Sequence, residues 1–398
     1  MTSRPQPPTN INIRPLQYYD LDAIARLVVE NSSDSMNEYN YLLKDLHNFK
    51  QWYAPLKLLT LFPNPYQYNF SVRVAQQEQK IKGMIQISPF NRTRSTWKVE
   101  RILVEKNCIL SDVGSLLLRH CLEKIWEART WLLEVNINDK AQLALYRQNG
   151  FQPLAQLTYW EIKPEILQQL REREPDIPNL LPINNADAHL LYQLDTVAMP
   201  PLVRQVFDRH LHDFKTNFIG GLFDKLSEWL NQTKTISAYV FEPQRKAAIG
   251  YFKIQLSPSG NIPHQAELTV HPAYTWLYPE LMANMAHIVK EYPLQSLKIS
   301  STDYQPEREA YLQEIGAEIT ENTLLMSRSV WHKLKEAKPM TLETLQLAEM
   351  LQSLQPARKP VPNRVKLHAY IKQKYHDLNS TDLLRRTIKK HHSLEDGK

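Results

Sequence analysis

The sequence predicts an α/β (α+β) fold built twice. Three observations carry this. Short runs with alternating apolar residues, among them Phe70–Ala75, Lys82–Ser88 and the TWLLEVN run from Thr130, have the period of half-buried strands. Between them lie apolar stripes of helical period, as in Leu117, Cys121 and Ile125. The same order of patterns then restarts after roughly 165 residues, a long-period duplication and not a short solenoid repeat. Strand, strand, strand, helix, strand, helix, strand in each copy implies two tandem domains, each a mixed twisted sheet with helices on both faces.

Taken in order, residues 1–9 are a polar, proline-rich lead. A domain of residues 10–163 begins with a strand at Ile11–Leu16 and a helix from Asp20 to Glu30, with Leu21, Ile24, Leu27 and Val28 on one side and Asp20 as a candidate N-cap. Met36–Leu61 reads as a longer aromatic helical region broken at Pro55. The two strands around the polar turn Gln76–Lys80 form a hairpin. Thr96–Lys163 then supplies strand, turn, helix, strand, a helix ending in Asn149-Gly150, and a last strand. Residues 164–179 read as a linker helix. A second domain follows over 180–331, with helices at Asp187–Val197, Leu202–Leu230, Leu277–Tyr292 and Pro306–Ile315. Residues 332–398 are a linker marked by Pro356, Pro360 and Pro362, then a basic helical C-terminal tail.

Composition narrows the function classes. The chain has 398 residues, 42% of them apolar, enough for real cores. The sequence has no apolar run long enough for a membrane span, and its start lacks the apolar core of a signal peptide. Cys108 and Cys121 are the only cysteines, no Cys/His set has metal-site spacing, and a reducing cytoplasmic setting follows as the expectation. The net charge of +6 is uneven: residues 357–398 hold 11 Lys+Arg against 4 Asp+Glu, so the remainder is near −1. The tail has two readings, a surface for an acidic or nucleic-acid partner and a solvated helix docked by its apolar stripe.

One run ties these features to a family. Ile13-Arg14-Pro15-Leu16, the Asp-led first helix, the hairpin with Gly83, the strand ending Leu103-Val104, Val113-Gly114-Ser115 opening a helix, and Asp139 through Ala144-Leu145-Tyr146 to Gly150-Phe151 appear in order. In that order they resemble the GNAT superfamily of acyl-CoA-dependent N-acetyltransferases. The likeness covers residues 10–163 and, more weakly, 180–330. It implies that acetyl-CoA pyrophosphate lies on backbone N–H groups at a helix start, residues Ile109, Ser111, Asp112, Val113, Gly114 and Ser115. It implies Tyr146 as the general acid to the leaving thiolate, Glu100 or Glu134 as the base toward an amine acceptor, and oxyanion help from backbone N–H near Val104. Asp139 stands where the family usually has Asn and can cap the following helix.

The sequence departs from the family pattern where phosphate would sit. The basic or amide residue has become Ile109, the first glycine has become Asp112, and only Gly114 remains. A carboxylate beside a diphosphate is repulsive by about 1 kcal/mol in water and by more at lower dielectric. Ser111-Asp112 therefore has two readings, an ordinary N-cap and a loop that still holds acetyl-CoA. The second copy has lost more. Thr275–Glu280 carry no glycine, Pro279 removes a donor, Leu312 matches Tyr146, and no acetyl-CoA is expected there; His264 and His271 read as structural. Two functions remain open: an N-acyltransferase with its site in the first domain, and a catalytically inactive acetyltransferase fold that binds a macromolecular partner.

Overall fold

The chain runs β1 (Asn12–Pro15), α1 (Leu21–Asn31), β2 (Ser71–Gln77), β3 (Lys80–Pro89), β4 (Thr96–Val104), α2 (Leu110–Lys124), β5 (Thr130–Asn136), α3 (Lys140–Gln148) and β6 (Gln152–Ile162). After α4 (Pro164–Leu170) the second half gives β7 (Leu180–Pro182), α5 (Ala188–Ala198), α6 (Pro201–Phe207), β8 (Lys234–Glu242), β9 (Ala247–Leu256), β10 (His264–Val270), α7 (Leu277–Val289), β11 (Leu297–Thr302), α8 (Pro306–Glu314) and β12 (Glu318–Ser329). This is the computed structural model of the chain, and it describes residues 11–31, 71–215 and 233–330. The helical region expected at Met36–Leu61, the part of Leu202–Leu230 beyond Lys215, and the basic tail lie outside the described residues.

Among the described residues the twelve strands form one sheet, in the order β1-β2-β3-β4-β5-β12-β6-β11-β10-β9-β8-β7. The order contains an exchange. The last strand of the second half, β12, lies antiparallel between β5 and β6 of the first, with Leu325 opposite Glu134 and Ala155. In return β6 pairs with β11, Trp160 opposite Ile299. Each half thus completes its sheet with the other's last strand. The local reason is the chemistry of β5: Leu132 and Leu133 are both buried, so both faces need cover and neither edge can be left to water.

Helices cover the two faces. On the first half, α2 and α3 pack over Ile85, Ile87, Trp97, Val99, Leu133 and Val135. On the opposite face, α1 sets Ile24, Leu27 and Val28 against Val72, Val74 and Met84. Asp20 stands directly before α1. Its carboxylate accepts Gln17 N–H and the Arg14 guanidinium, so it fixes the turn before the helix. In the second half α4, α7 and α8 cover one face and α5 the other. Across the exchange, α6 sets Val206 and Phe207 of the second half onto Leu132, Ala155 and Leu325.

Glycines mark equivalent places in the two halves. A Cβ on Gly83 would meet Val113 and Leu117 of α2, and one on Gly250 would meet Leu277 and Leu281 of α7. These are the points where a helix lies closest to the sheet. Gly150 and Gly316 end α3 and α8 with φ of 79° and 80°, a conformation that costs other residues about 1 kcal/mol or more.

The exchange makes each half a poor folding unit by itself, because residues 10–163 without β12 expose the buried edge of β5. Expressed alone, this half is expected to aggregate or self-associate, and co-expression with residues 164–332 to restore a one-to-one complex by light scattering. A monomeric first half with a cooperative melt would show that the exchanged strand is dispensable.

Candidate active site

The site is built where two parallel strands stop pairing. β4 and β5 pair only from Thr96↔Thr130 to Val99↔Leu133, although β4 runs on to Val104 and β5 to Asn136. Beyond Val99 and Leu133 the strands part and leave a gap through the sheet. At this point β4 carries one residue more than β3: Arg101 opposes Gln86 and Val99 opposes Ile87, so Glu100 is the extra residue of a β-bulge. A bulge redirects its side chain, and the Glu100 carboxylate accepts Ser88 Oγ at 2.5 Å and pairs with Lys98 Nζ at 3.1 Å.

The other carboxylate, Glu134, lies one residue past the last β4–β5 pair. Its Oε1 accepts Tyr159 Oη at 2.5 Å and Thr323 Oγ1 at 2.6 Å. By strand alternation Glu134 shares a face with Leu132, and Glu100 bonds Ser88 on the face of β3 that carries Met84. Both carboxylates therefore stand on the α1 and α6 side of the sheet. Burial, and then Glu134 itself, hold the Tyr159 phenol well above its usual pKa.

Tyr146 stands on the other side, in the core under α2 and α3. It is 2% exposed, its ring packs edge-on to Phe151 at 6.0 Å, and its hydroxyl donates to Gln142 Oε1 at 3.2 Å. Burial first and the Asp139 charge second raise its pKa above the phenol range, so it keeps its proton at any physiological pH. Asp139 caps α3 by accepting Gln142 N–H at 2.9 Å.

The start of α2 corrects one reading. Ser111 and Asp112 do not form its N-cap. The cap position is Ile109, 60% exposed and with no side-chain hydrogen bond, while Asp112 lies within the first turn and accepts Ser111 Oγ at 3.3 Å. The first amides of a helix have no partner within it, so this end keeps its donor character. Gly114 serves packing: a Cβ there would come 2.9 Å from Leu145 of α3. Val113 is buried, and Ser115 Oγ accepts Asn149 Nδ2 at 2.8 Å, which ties α2 to the end of α3. Leu103 O would meet a Cβ on Gly83 at 2.9 Å, so that glycine lets β3 lie close to the end of β4. Lys106 is exposed in the turn before α2, and the Lys82–Glu105 pair, 2.5 Å, braces the same turn with Cys108 beside it. Cys121 is a core residue whose thiol burial pushes up to about 12.

The second half has the same parted strands and fills them. β10 and β11 pair only from His264↔Leu297 to Ala266↔Ile299. Beyond that, Arg308 of α8 donates Nη1 to Ser300 O at 3.1 Å and Nη2 to Leu268 O, one carbonyl on each strand. Arg308 is 5% exposed and lies over the Tyr278 ring at 5.8 Å. Matching Gly250 to Gly83 brings Tyr278 to the place of Gly114, so a large side chain stands where the first half has none. The β9–β10 ladder is continuous, and the bulge of Glu100 has no counterpart. Leu312 is core. His264 and His271 each accept a nearby backbone N–H, from Ser257 and Ala273.

Sequence reasoning missed Thr323, Tyr159 and Arg308. Strand alternation could flag the first two as inward polar residues, but their partners come from elsewhere in the chain. Among the described residues no group of His, Cys, Asp and Glu could hold a metal ion, and no helix is long and apolar enough to cross a membrane.

Comparison with known proteins bears on the fold. The family model described as acetyltransferase (GNAT) domain matches residues 69–153. A tandem GNAT protein from the clavulanic acid biosynthesis pathway, solved without AcCoA, is similar over 82% of this chain and 100% of its own, at 12% identity and TM-score 0.53. A GCN5-related N-acetyltransferase from Sphaerobacter thermophilus covers 82% of this chain and 98% of its own at 14% identity and TM-score 0.49. A ribosomal-protein-alanine N-acetyltransferase from Brucella melitensis reaches 24% identity over 37% of this chain and 88% of its own, with TM-score 0.30. No curated protein matches. The chain has the tandem fold of the GNAT acetyltransferase superfamily, with two halves of one plan and the family model matching the first.

Proposed function

We propose that the protein is an acyl-CoA-dependent N-acyltransferase whose one working site is the gap between β4 and β5 of the first half. The observation that supports this reading is the pair of carboxylates, Glu100 and Glu134, on one face of the sheet where β4 and β5 stop pairing, with β4 followed by an uncapped start of α2. The acceptor amine comes from the carboxylate face. Glu134 takes its proton, directly or through one water, and Glu100 adds negative potential that favours a cationic acceptor. Backbone N–H of β4 near Val104 steadies the oxyanion as nitrogen attacks the thioester carbonyl. As the C–S bond breaks, Tyr146 gives its proton to the leaving sulfur and regains one from the nitrogen that has formed the amide, so amide and free CoA result and Glu134 holds the remaining proton until solvent takes it. The pyrophosphate would lie on the first turn of α2, Ile109 to Ser115, with Lys106 as the nearest exposed cation in sequence. Arg308 and Tyr278 leave the second half no equivalent opening. Two free cysteines fit a reducing, cytoplasmic setting.

Asp112 favours the second reading, a fold that has lost catalysis and serves as a binding protein, because its carboxylate stands in the turn meant for phosphate. Calorimetry separates the two. Wild type is expected to bind acetyl-CoA with one site per chain, and Asp112→Gly to bind about fivefold tighter or more, as removal of roughly 1 kcal/mol of repulsion requires. No heat from wild type at millimolar acetyl-CoA overturns the enzyme reading.

Turnover gives a further test, with free thiol release followed over a panel of primary amines, from amino acids and polyamines to peptide N-termini. Glu134→Gln and Tyr146→Phe are each expected to lower kcat by about 10²–10⁴-fold while acetyl-CoA affinity stays near wild type. Variants as fast as wild type would remove both residues from the chemistry.

A further inference from the structure

We infer that the second half acts on the first half's site through Thr323, a positioning residue that holds the Glu134 carboxylate. This rests on the acyltransferase reading of the gap. Thr323 lies on the exchanged strand β12, where its backbone stands opposite Asn136 on one side and Leu157 on the other. Its hydroxyl is 2.6 Å from Glu134 Oε1, and the residue is 4% exposed. Tyr159 donates to the same oxygen from β6 at 2.5 Å. Two hydroxyls on Oε1 restrain the carboxylate, and Oε2 takes part in neither bond. A free Glu side chain has three rotatable bonds, and a base must lie within about 3 Å of the proton it takes.

The rest of the neighbourhood supports a contribution from the second half. Leu132, on the same face of β5 as Glu134, is covered by Val206 of α6. The β3–β4 turn is anchored to the end of α6: Asn91 Nδ2 donates to Asp208 O at 2.8 Å, Ser95 Oγ to Asp208 Oδ2 at 2.5 Å, and Thr96 Oγ1 to Val206 O at 2.9 Å. Thr96 opens β4 and Thr130 opens β5, so these bonds hold the paired base of the fork whose tips carry the chemistry. The second half has filled its own gap with Arg308. It still supplies the first with a strand, a wall and one hydroxyl.

The test is a cycle in the full chain, read as kcat for thiol release from acetyl-CoA with the best amine of the panel. Thr323→Val is expected to lower kcat by about tenfold, the order for one hydrogen bond to a charged group, with KM for acetyl-CoA unchanged. Thr323→Ser, which keeps the hydroxyl, is expected to restore turnover to near wild type. In a Glu134→Gln background Thr323→Val is expected to do nothing further, because the residue acts through Glu134. Equal losses from Thr323→Val in both backgrounds, or failure of Thr323→Ser to rescue a chain with a wild-type melting curve, overturn the inference while leaving the acyltransferase reading intact. Absence of turnover in the wild type with every amine overturns that reading and the inference together.

Discussion

The exchange of last strands is the constraint on which the rest of the structure depends. β5 is buried on both faces and needs a strand on the edge away from β4. That strand is β12, which belongs to the other half. Because β12 pairs with β6 as well, and β6 with β11, the four strands β5-β12-β6-β11 form a central band to which each half contributes two. Unfolding either half must break the ladder of the other, so the two cores are coupled through backbone hydrogen bonds in addition to side-chain contact. A duplicated chain built this way needs both copies to complete its sheet.

The two halves differ where strands part. Parallel strands that diverge leave backbone groups facing a gap, and a fold must fill that gap or use it. The second half fills it with a guanidinium bonded to a carbonyl on each strand, and with Tyr278 where the first half has Gly114. The first half has a bulge at the equivalent place, which adds one residue, Glu100, to the rim. A small residue and an extra carboxylate on one side, against arginine and tyrosine on the other, make an asymmetric pair from one plan. The asymmetry is chemical as well: a buried arginine bonded to two carbonyls is a strut, while the carboxylates of the first half are bonded to hydroxyl groups and a lysine.

Much of the fold was legible in the sequence. Period-two runs and helical stripes marked strands and helices, and Gly150 and Gly316 marked helix ends because only a left-handed residue fits there. Tyr146 lies near the end of the short helix that Gly150 terminates, as the sequence order implies. What was not legible is non-local. β6 and β12 have similar alternation, and no local pattern states which of them pairs with β5. The bulge at Glu100 has no glycine to announce it. Ile109 at a cap position breaks the preference that led to Ser111 and Asp112. Thr323 is 189 residues from Glu134, and only the folded sheet brings them together.

The central claim is that the gap between β4 and β5 receives the thioester and the gap between β10 and β11 does not. The most direct measurement is a crystal structure of the full chain grown with acetyl-CoA. The account predicts one molecule, its pyrophosphate at the start of α2 and its acetyl group between Glu100 and Glu134 on one face and Tyr146 on the other. A molecule seated in the second half with Arg308 displaced, or none at saturating concentration, would contradict it.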